Sequence, residues 1–437
     1  MKNKIYLVVI ALIGAMAGFL QAAETGDMAM QNTMLRQRLD QLDREVQALR
    51  QSAGEQGSVT GTSSHMPVWS NLDIQLYGFL KLDASYDSSR IYPGDYALWV
   101  QNESQNDNDN QFDMTVRETR LGMLLKGPSS GDMTASGRVE VDFFGPGEGI
   151  KENQPRLMMR HAYVTLDWPQ ERFSILAGQT SDVMSPLNPT TINYTVCWFV
   201  GNIGYRRPQF RLTKDYSLAS DVDLKLEGAV ARTIGRESVT GGDSGADAGF
   251  PTLEGRVSVS LPIYERQVTT IGVSGHKGQE EYDYNAAGDS KDFDTWSINM
   301  DLTQPINDKL LVRGEIFTGK DLDAYYGGIG QGVTLTGTHA LTAIGSSGGW
   351  VEATYDASAK TQLNLGYSME DVHEGGLNTS TSAVPTRSEN RTIFGNIIYA
   401  LNAQTDIGLE LSHWRTEYKG PGDAESVRVE AALKYKF

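Results

Sequence analysis

The chain has 437 residues, 39% of them apolar, a formal net charge of -17 and one cysteine, Cys197. That acidity excludes a nucleic-acid partner, since phosphate binding draws on an excess of Lys and Arg, and a lone cysteine excludes an internal disulfide framework. The six histidines are scattered, without metal-ligand spacing.

In chain order, Lys2 and Lys4 precede an apolar run from Ile5 to Leu20 that closes on Gln21-Ala22-Ala23-Glu24. Positive, then apolar, then small is the order of a secretory signal peptide, so residues 1–23 are expected to be removed and the mature protein to leave the cytoplasm. Residues 24–51 carry Met28, Leu35, Leu42 and Leu49 at every seventh position, with Asn32, Leu39 and Val46 on the alternate seam. These are the a and d positions of a short α-helical coiled coil, which implies an oligomer. Its roughly three heptads lie near the lower limit of independent stability, so another contact must share the work of association. Residues 52–72 turn to Gly, Ser, Thr and Gln and read as a flexible linker spanning about 25 Å.

From residue 73 to 437 the pattern is period two. Ile74, Leu76, Leu80, Leu82, Ala84 and Tyr86 alternate with Lys81, Asp83, Ser85 and Asp87, a strand long for an ordinary globular protein. Roughly sixteen such segments follow one another, an even number suited to a transmembrane barrel. Their connections alternate long and short: 88–112 then 127–131, 145–155 then 169–171, 181–204 then 217–219, 233–251 then 263–266, 279–292 then 304–307, 319–347 then 357–360. The rhythm closes with 372–389, 401–403 and 417–425. A soluble sandwich has no reason to segregate its loops in this way. Short turns on one rim and long loops on the other predict an all-β fold, an antiparallel outer-membrane β-barrel with its turns, and the coil before it, in the periplasm.

The last strand sets Val427, Val429, Ala431, Leu433, Tyr435 and Phe437 against Arg428, Glu430, Lys434 and Lys436. The first set is expected to face outer-membrane lipid, with Tyr435 and Phe437 in the interfacial aromatic girdle. A strand ending in Phe437 also resembles the signal read by barrel-insertion machinery.

The connection 181–204, nearly uncharged and rich in Pro, Asn and aromatic residues, is the candidate constriction loop, with Ser185, Pro186, Asn188, Asn193, Tyr194, Trp198 and Asn202 as its expected lining. After it, strand parity places Arg207, Gln209 and Arg211 in one inward column, a basic ladder with no acid within two positions of either arginine. Arg120, Arg138, Arg256, Arg313 and Arg428 also face inward by parity, each two residues from a glutamate that either braces the wall or leaves the arginine free to select ions. Arg160 falls in phase with the lipid-facing Ala162, Val164 and Leu166.

Tyr77-Gly78-Phe79-Leu80-Lys81-Leu82-Asp83, Ser185-Pro186-Leu187-Asn188-Pro189-Thr190 and Gly201-Asn202-Ile203-Gly204-Tyr205-Arg206-Arg207-Pro208-Gln209 resemble the DcaP-like outer-membrane porins. The resemblance covers essentially the mature chain, coil included. It implies a homotrimeric diffusion channel, without cofactor, that favours small anions such as dicarboxylates and aromatic carboxylates. A non-conducting barrel serving as adhesin or envelope tether is the alternative. An enzyme is not expected: Gly242-Asp243-Ser244-Gly245 lacks the base and orienting group that a serine nucleophile needs. Asp107-Asn108-Asp109-Asn110, in loop 102–110, lacks the glycine and distal glutamate of a helix-loop-helix calcium site.

Overall fold

The computed structural model describes residues 72–437 apart from residues 108, 146–153, 235–244, 247, 265–266, 284–289, 336–340, 374–376, 378–385 and 421. The chain divides into two units, Met1–Leu72 and Asp73–Phe437. The signal peptide, the coil and all of the linker but Leu72 lie outside the described residues.

Sixteen antiparallel strands form a closed barrel. They are β1 Asp73–Asp87, β2 in two pieces (Gln111–Thr115 and Arg120–Lys126), β3 Thr134–Asp142, β4 Met158–Trp168, β5 Phe173–Ser181, β6 Arg206–Ala219, β7 Val222–Ala231 and β8 Thr252–Tyr264. The second half comprises β9 Gln267–Asp283, β10 Ser290–Pro305, β11 Leu310–Lys320, β12 Gly345–Ser358, β13 Thr361–Val372, β14 Thr386–Ala400, β15 Thr405–Lys419 and β16 Ala424–Lys436. Each strand pairs with its sequence neighbour, and β1 closes the ring on β16 from Phe79↔Lys436 to Asp87↔Arg428. At the seam Gly78 and Phe437 exchange two backbone hydrogen bonds of 3.1 Å. A closed ring satisfies every strand edge, the condition for crossing a bilayer with β-structure.

Alternation is the reason these segments pair as they do. In β1, Lys81, Asp83, Ser85 and Asp87 are buried inside the barrel while Leu76, Leu80 and Leu82 stand exposed outside, Leu76 at 70%. Exposed leucines, isoleucines and valines recur around the ring, a surface far larger than a water-soluble monomer tolerates and the kind a bilayer covers. Tyr216, Tyr264, Tyr355, Tyr435 and Phe437 form an exposed aromatic rim at the short-turn end.

The long connections are more structured than their composition suggests. The first holds a ribbon, Ile91–Pro93 paired with Ala97–Val100, and a helical turn, Glu103–Asn106. The asparagines there serve that turn: Asn102 caps it and Asn106 Nδ2 donates to the carbonyls of Gln101 and Asn102. The expected loop 279–292 shrinks to 284–289, because β9 and β10 keep pairing as far as Asp283↔Ser290. Inside the barrel the ribbon packs through Ile91, Ala97 and Val100 on Cys197 and Val200, and onto Phe394, Trp414 and Tyr418 of the wall. A second cluster joins Met184 and Ile203 to Phe317, Leu322 and Tyr325.

Candidate functional site

Residues 182–205 fold into the lumen and run along its inner wall as a strap. What holds the strap is a row of wall carboxylates accepting its backbone N–H groups. Val183 N–H donates to Glu254 of β8 at 2.5 Å, Leu187 N–H to Glu315 of β11 at 2.8 Å, Thr190 N–H to Glu352 of β12, and Ile192 N–H to Glu410 of β15 at 2.7 Å. Ser185 adds its hydroxyl to Glu315 at 2.9 Å, Asn396 of β14 donates to the Thr190 carbonyl at 2.7 Å, and Lys81 of β1 to the Ile192 carbonyl at 2.9 Å. A carboxylate is the strongest acceptor a protein offers an amide, and a buried amide left unpaired is costly. The four glutamates are 6% exposed or less, so their charges are spent on the strap and withheld from the lumen.

The expected strap residues are mostly structural. Ser185 is bound as above, and Asn202 Nδ2 donates to Asn188 Oδ1 at 3.1 Å and to the Val196 carbonyl at 2.7 Å. Asn193 brackets Ala97, its Oδ1 accepting from Ala97 N–H at 3.0 Å and its Nδ2 donating to the Ala97 carbonyl at 3.3 Å. Tyr194 and Trp198 join Tyr96, Phe144, Tyr205 and Tyr326 in one aromatic network with ring centroids 4.1–6.1 Å apart. Burial, with the Asp142 carboxylate close by, raises the Tyr194 phenol well above its ordinary range, so its hydroxyl stays neutral and donates to Asp142 at 3.2 Å.

Between the strap and the wall of β2–β6 lies a cavity of about 340 Å³ whose lining includes Pro186, Asn188, Arg120, Arg160, His161 and Arg206. Two of its arginines were not legible as pore residues. Arg160 is turned inward by a β-bulge: the β3–β4 register shifts between Glu140 and Val141, Glu140 pairing with His161 and Val141 with Met159, so Arg160 sits in the slipped position. Re-aiming a side chain is what a bulge does. Arg206 is the first residue of β6, where parity is not yet set. Its guanidinium lies 4.9 Å from the Tyr205 ring centroid and 5.8 Å from that of Trp198. It is 7% exposed, and its Nε and Nη2 have no hydrogen-bond partner among the described residues.

Glu140 is the shared counter-ion of this wall. Arg138 reaches it at 2.6 Å, Arg160 at 2.8 Å and Arg120 at 3.5 Å, while Tyr77 donates to it at 2.8 Å. Arg160 also holds Asp142 at 2.7 Å. Four arginines, 120, 138, 160 and 206, therefore face two carboxylates, and Glu118 across the same cavity is engaged by Lys81.

The remaining arginines distribute differently from their parity. Arg207 is fully buried, clamped by Asp182 at 2.7 and 3.2 Å and stacked 3.9 Å from the Tyr325 ring centroid, so it belongs to the wall and not to the open lumen. The expectation of an unpaired basic ladder fails there because Asp182, 25 residues earlier, is returned beside it by the strap. Arg211 is partly exposed, bound to Gln209 Oε1 at 2.9 Å and to the Ser181 carbonyl; Gln209 turns its amide to the carbonyls of Thr180 and Ser181. Arg256 is chelated by Asp301 at 2.8 and 3.0 Å, and Arg428, 1% exposed, by Asp87 and Glu430 at 2.9 Å each. Arg313 bonds Glu352 at 2.7 Å and the Thr190 hydroxyl at 2.8 Å, bracing the strap while staying partly open.

Outside this site, Glu280, Asp321 and Asp323 bring carboxylate oxygens within 4.8 Å of one another, each with further partners. Of Gly242-Asp243-Ser244-Gly245, the first three residues lie outside the described residues.

A closed ring of sixteen antiparallel strands, short turns on one rim and an inward-folded third long loop, is a porin-type barrel. Its fold is DcaP-like: it resembles the outer membrane channel DcaP of Acinetobacter baumannii with a TM-score of 0.65 and 20% identity, over 87% of this chain and 100% of that one. It is also similar to the anion-selective porin from Comamonas acidovorans (TM-score 0.51, 12% identity, 84% and 100% covered) and to the trimer form of OmpT, an outer membrane protein of Vibrio cholerae (0.50, 12%, 84% and 100%). At these identities the likeness is one of fold. No protein-family profile and no curated protein matches the sequence.

Proposed function

We propose that this chain is an outer-membrane porin, a passive diffusion channel for small hydrophilic solutes, whose constriction favours small anions such as dicarboxylates or aromatic carboxylates. One observation carries the anion preference: Arg120, Arg138 and Arg160 converge on the single carboxylate Glu140, and Arg206 beside them has no acid within ion-pair distance among the described residues. A carboxylate about 6 Å from such a guanidinium gains about 0.7 kcal/mol in bulk water and about 3 kcal/mol at an effective dielectric near 20. Of the other nearby acids, Asp142 is held by Arg160 and Glu118 by Lys81, the four strap glutamates are spent on its backbone, and exterior acids beyond a screening length of about 8 Å contribute little. Local charge therefore outweighs the net charge of -17. Arg120, Arg138, Arg160 and Arg206 are the selectivity residues in this reading, with Arg211 and Arg313 along the path. The anion-selective and trimeric relatives support it by fold, and the coil of residues 24–51 adds a periplasmic contact to a homotrimer.

The test is the zero-current potential of the purified protein in a planar bilayer under a salt gradient. Anion preference is expected, falling toward neutrality in an Arg160→Gln/Arg206→Gln double variant, with a dicarboxylate blocking current through the wild type. Cation preference would sink the anion assignment. Absence of any conductance would favour a non-conducting adhesin or tether.

A further inference from the structure

Straight alternation along β14 would send Arg387 outward with Glu389, Arg391 and the exposed Ile393. The β14–β15 register breaks between them: Arg387 pairs with Tyr418 and Glu389 with Glu417, so Ser388 is an extra residue. Arg387 is thereby turned to the side of the buried Trp414, Thr416 and Tyr418, inside the barrel, as a bulge also turns Arg160. We propose that Arg387 is an anion-binding station in the outer vestibule, which takes the carboxylate of an incoming solute before the constriction does. The inference rests on the anion-channel reading and deepens it by a residue that reading does not use.

Position is the first argument. Arg387 is the second residue of β14 after a long connection, at the end of the barrel away from the short turns. Three residues further in, Asn390 Nδ2 donates to the Phe199 carbonyl of the strap at 2.9 Å, so Arg387 stands about 6 Å outside that level. Its guanidinium lies 4.1 Å from the Trp99 ring centroid, and from there aromatic rings run without a break to the constriction. Trp99 meets Phe199 at 5.9 Å, Phe199 meets Tyr326 at 5.1 Å, Tyr326 meets Trp198 at 4.6 Å, and Trp198 lies 5.8 Å from the Arg206 guanidinium. An arginine therefore stands at each end of one aromatic chain, Arg387 on the outside and Arg206 at the narrow point.

Chemistry is the second. Arg387 Nε donates to the Ile329 carbonyl at 2.8 Å. Gln331 brackets the backbone, its Oε1 accepting from the Arg387 N–H at 3.2 Å and its Nε2 donating to the Arg387 carbonyl at 2.9 Å. The side chain is thus held at its base and against one aromatic face, and its two terminal amino groups are left for another partner. Side by side, they match the two oxygens of a carboxylate. No acid competes for them: Arg387 makes no ion pair among the described residues, where the ionisable groups close enough to act on it are the phenols of Tyr418 and Tyr92. Arg256, Arg313 and Arg428, which brace the wall, each hold a carboxylate of that wall. A partly buried guanidinium without such a counter-ion draws one from solution.

The experiment records current interruptions caused by succinate in a single channel of known orientation, with succinate added to one side and then the other. In Arg387→Gln the association rate from the long-loop side is expected to fall about 5-fold, and the rate from the short-turn side far less. Arg387→Lys, which keeps the charge, should recover most of the loss. Arg391→Gln removes the same charge from the outward face of the same strand, where it is paired with Glu389 at 3.0 Å, and should move neither rate. An unmoved long-loop rate in Arg387→Gln, an equal fall from both sides, or no recovery in the lysine variant would overturn the assignment and leave Arg387 a strut. Cation preference of the wild type in the zero-current measurement would sink the anion reading itself, whereas anion preference with an unmoved long-loop rate would sink Arg387 alone.

Discussion

Glu315 holds the strap at two successive points without an ion-pair partner of its own among the described residues, and its removal is a sharp perturbation of the strap. Its carboxylate accepts from the Leu187 N–H at 2.8 Å, the Ser185 hydroxyl at 2.9 Å and the Trp350 indole N–H at 3.3 Å. Hydrogen bonds to a charged acceptor contribute about 1.5–3 kcal/mol each. In Glu315→Ala two of the three are lost to the strap, a gross loss of about 3–6 kcal/mol, part of which water entering the vacated space recovers. A net loss of about 2–3 kcal/mol raises the population of locally detached strap roughly 30- to 150-fold. Hydrogen exchange at the amides of residues 185–190 should accelerate by that factor, and single-channel current should become larger and noisier. Glu315→Gln, which keeps an acceptor of the same shape, should lie between. If heat-modifiable migration shows an intact barrel and the Leu187 amide exchanges at the wild-type rate, the carboxylates do not hold the strap and the account of where the lumen's acids went is wrong.

Gly122→Ala places a methyl group 2.2 Å from the Tyr77 ring, so the ring must leave its bond to Glu140; we expect about 1–3 kcal/mol of destabilisation, read as a lower unfolding temperature in detergent, and a reduced anion preference. Cys197 is buried and its thiol is pushed far above its ordinary pKa by that burial, so a water-soluble maleimide should label the folded protein only after denaturation; rapid labelling would mean the strap opens readily. Phe437→Ala removes the aromatic ring that lies over Gly78 at the closing seam, and should lower the yield of assembled barrel in the outer membrane while leaving the conductance of the surviving channels unchanged.

The architecture was legible because a barrel wall writes two simple signals into a sequence: parity, which sorts lipid from lumen, and loop length, which sorts one rim from the other. The strap was legible for a related reason, since Pro, Asn and aromatic residues replace charge where backbone must bury itself. The partners inside were not. Parity says which way Glu315 points but nothing about what meets it, and a charge-based reading pairs it with Arg313 two residues away, whereas Arg313 turns to Glu352 and the strap's Leu187 N–H takes Glu315. The same blindness promoted Arg207, whose partner Asp182 arrives by a fold-back of the chain, and hid Arg160, whose aim depends on a single extra residue in β4. Arg206 escaped notice because the first residue of a strand carries no period to read.

The strap's glutamate anchors all lie downstream of it, at residues 254, 315, 352 and 410, the last 218 positions beyond the amide it receives. Residues 182–205 are made before any of these glutamates, with only the upstream contacts to Lys81, Ala97 and Asp142 already on hand. The narrowing of the pore is consequently the last thing the molecule acquires, completed only as the late strands arrive and β16 meets β1. A barrel arrested short of closure would leave an untied loop and an unguarded opening.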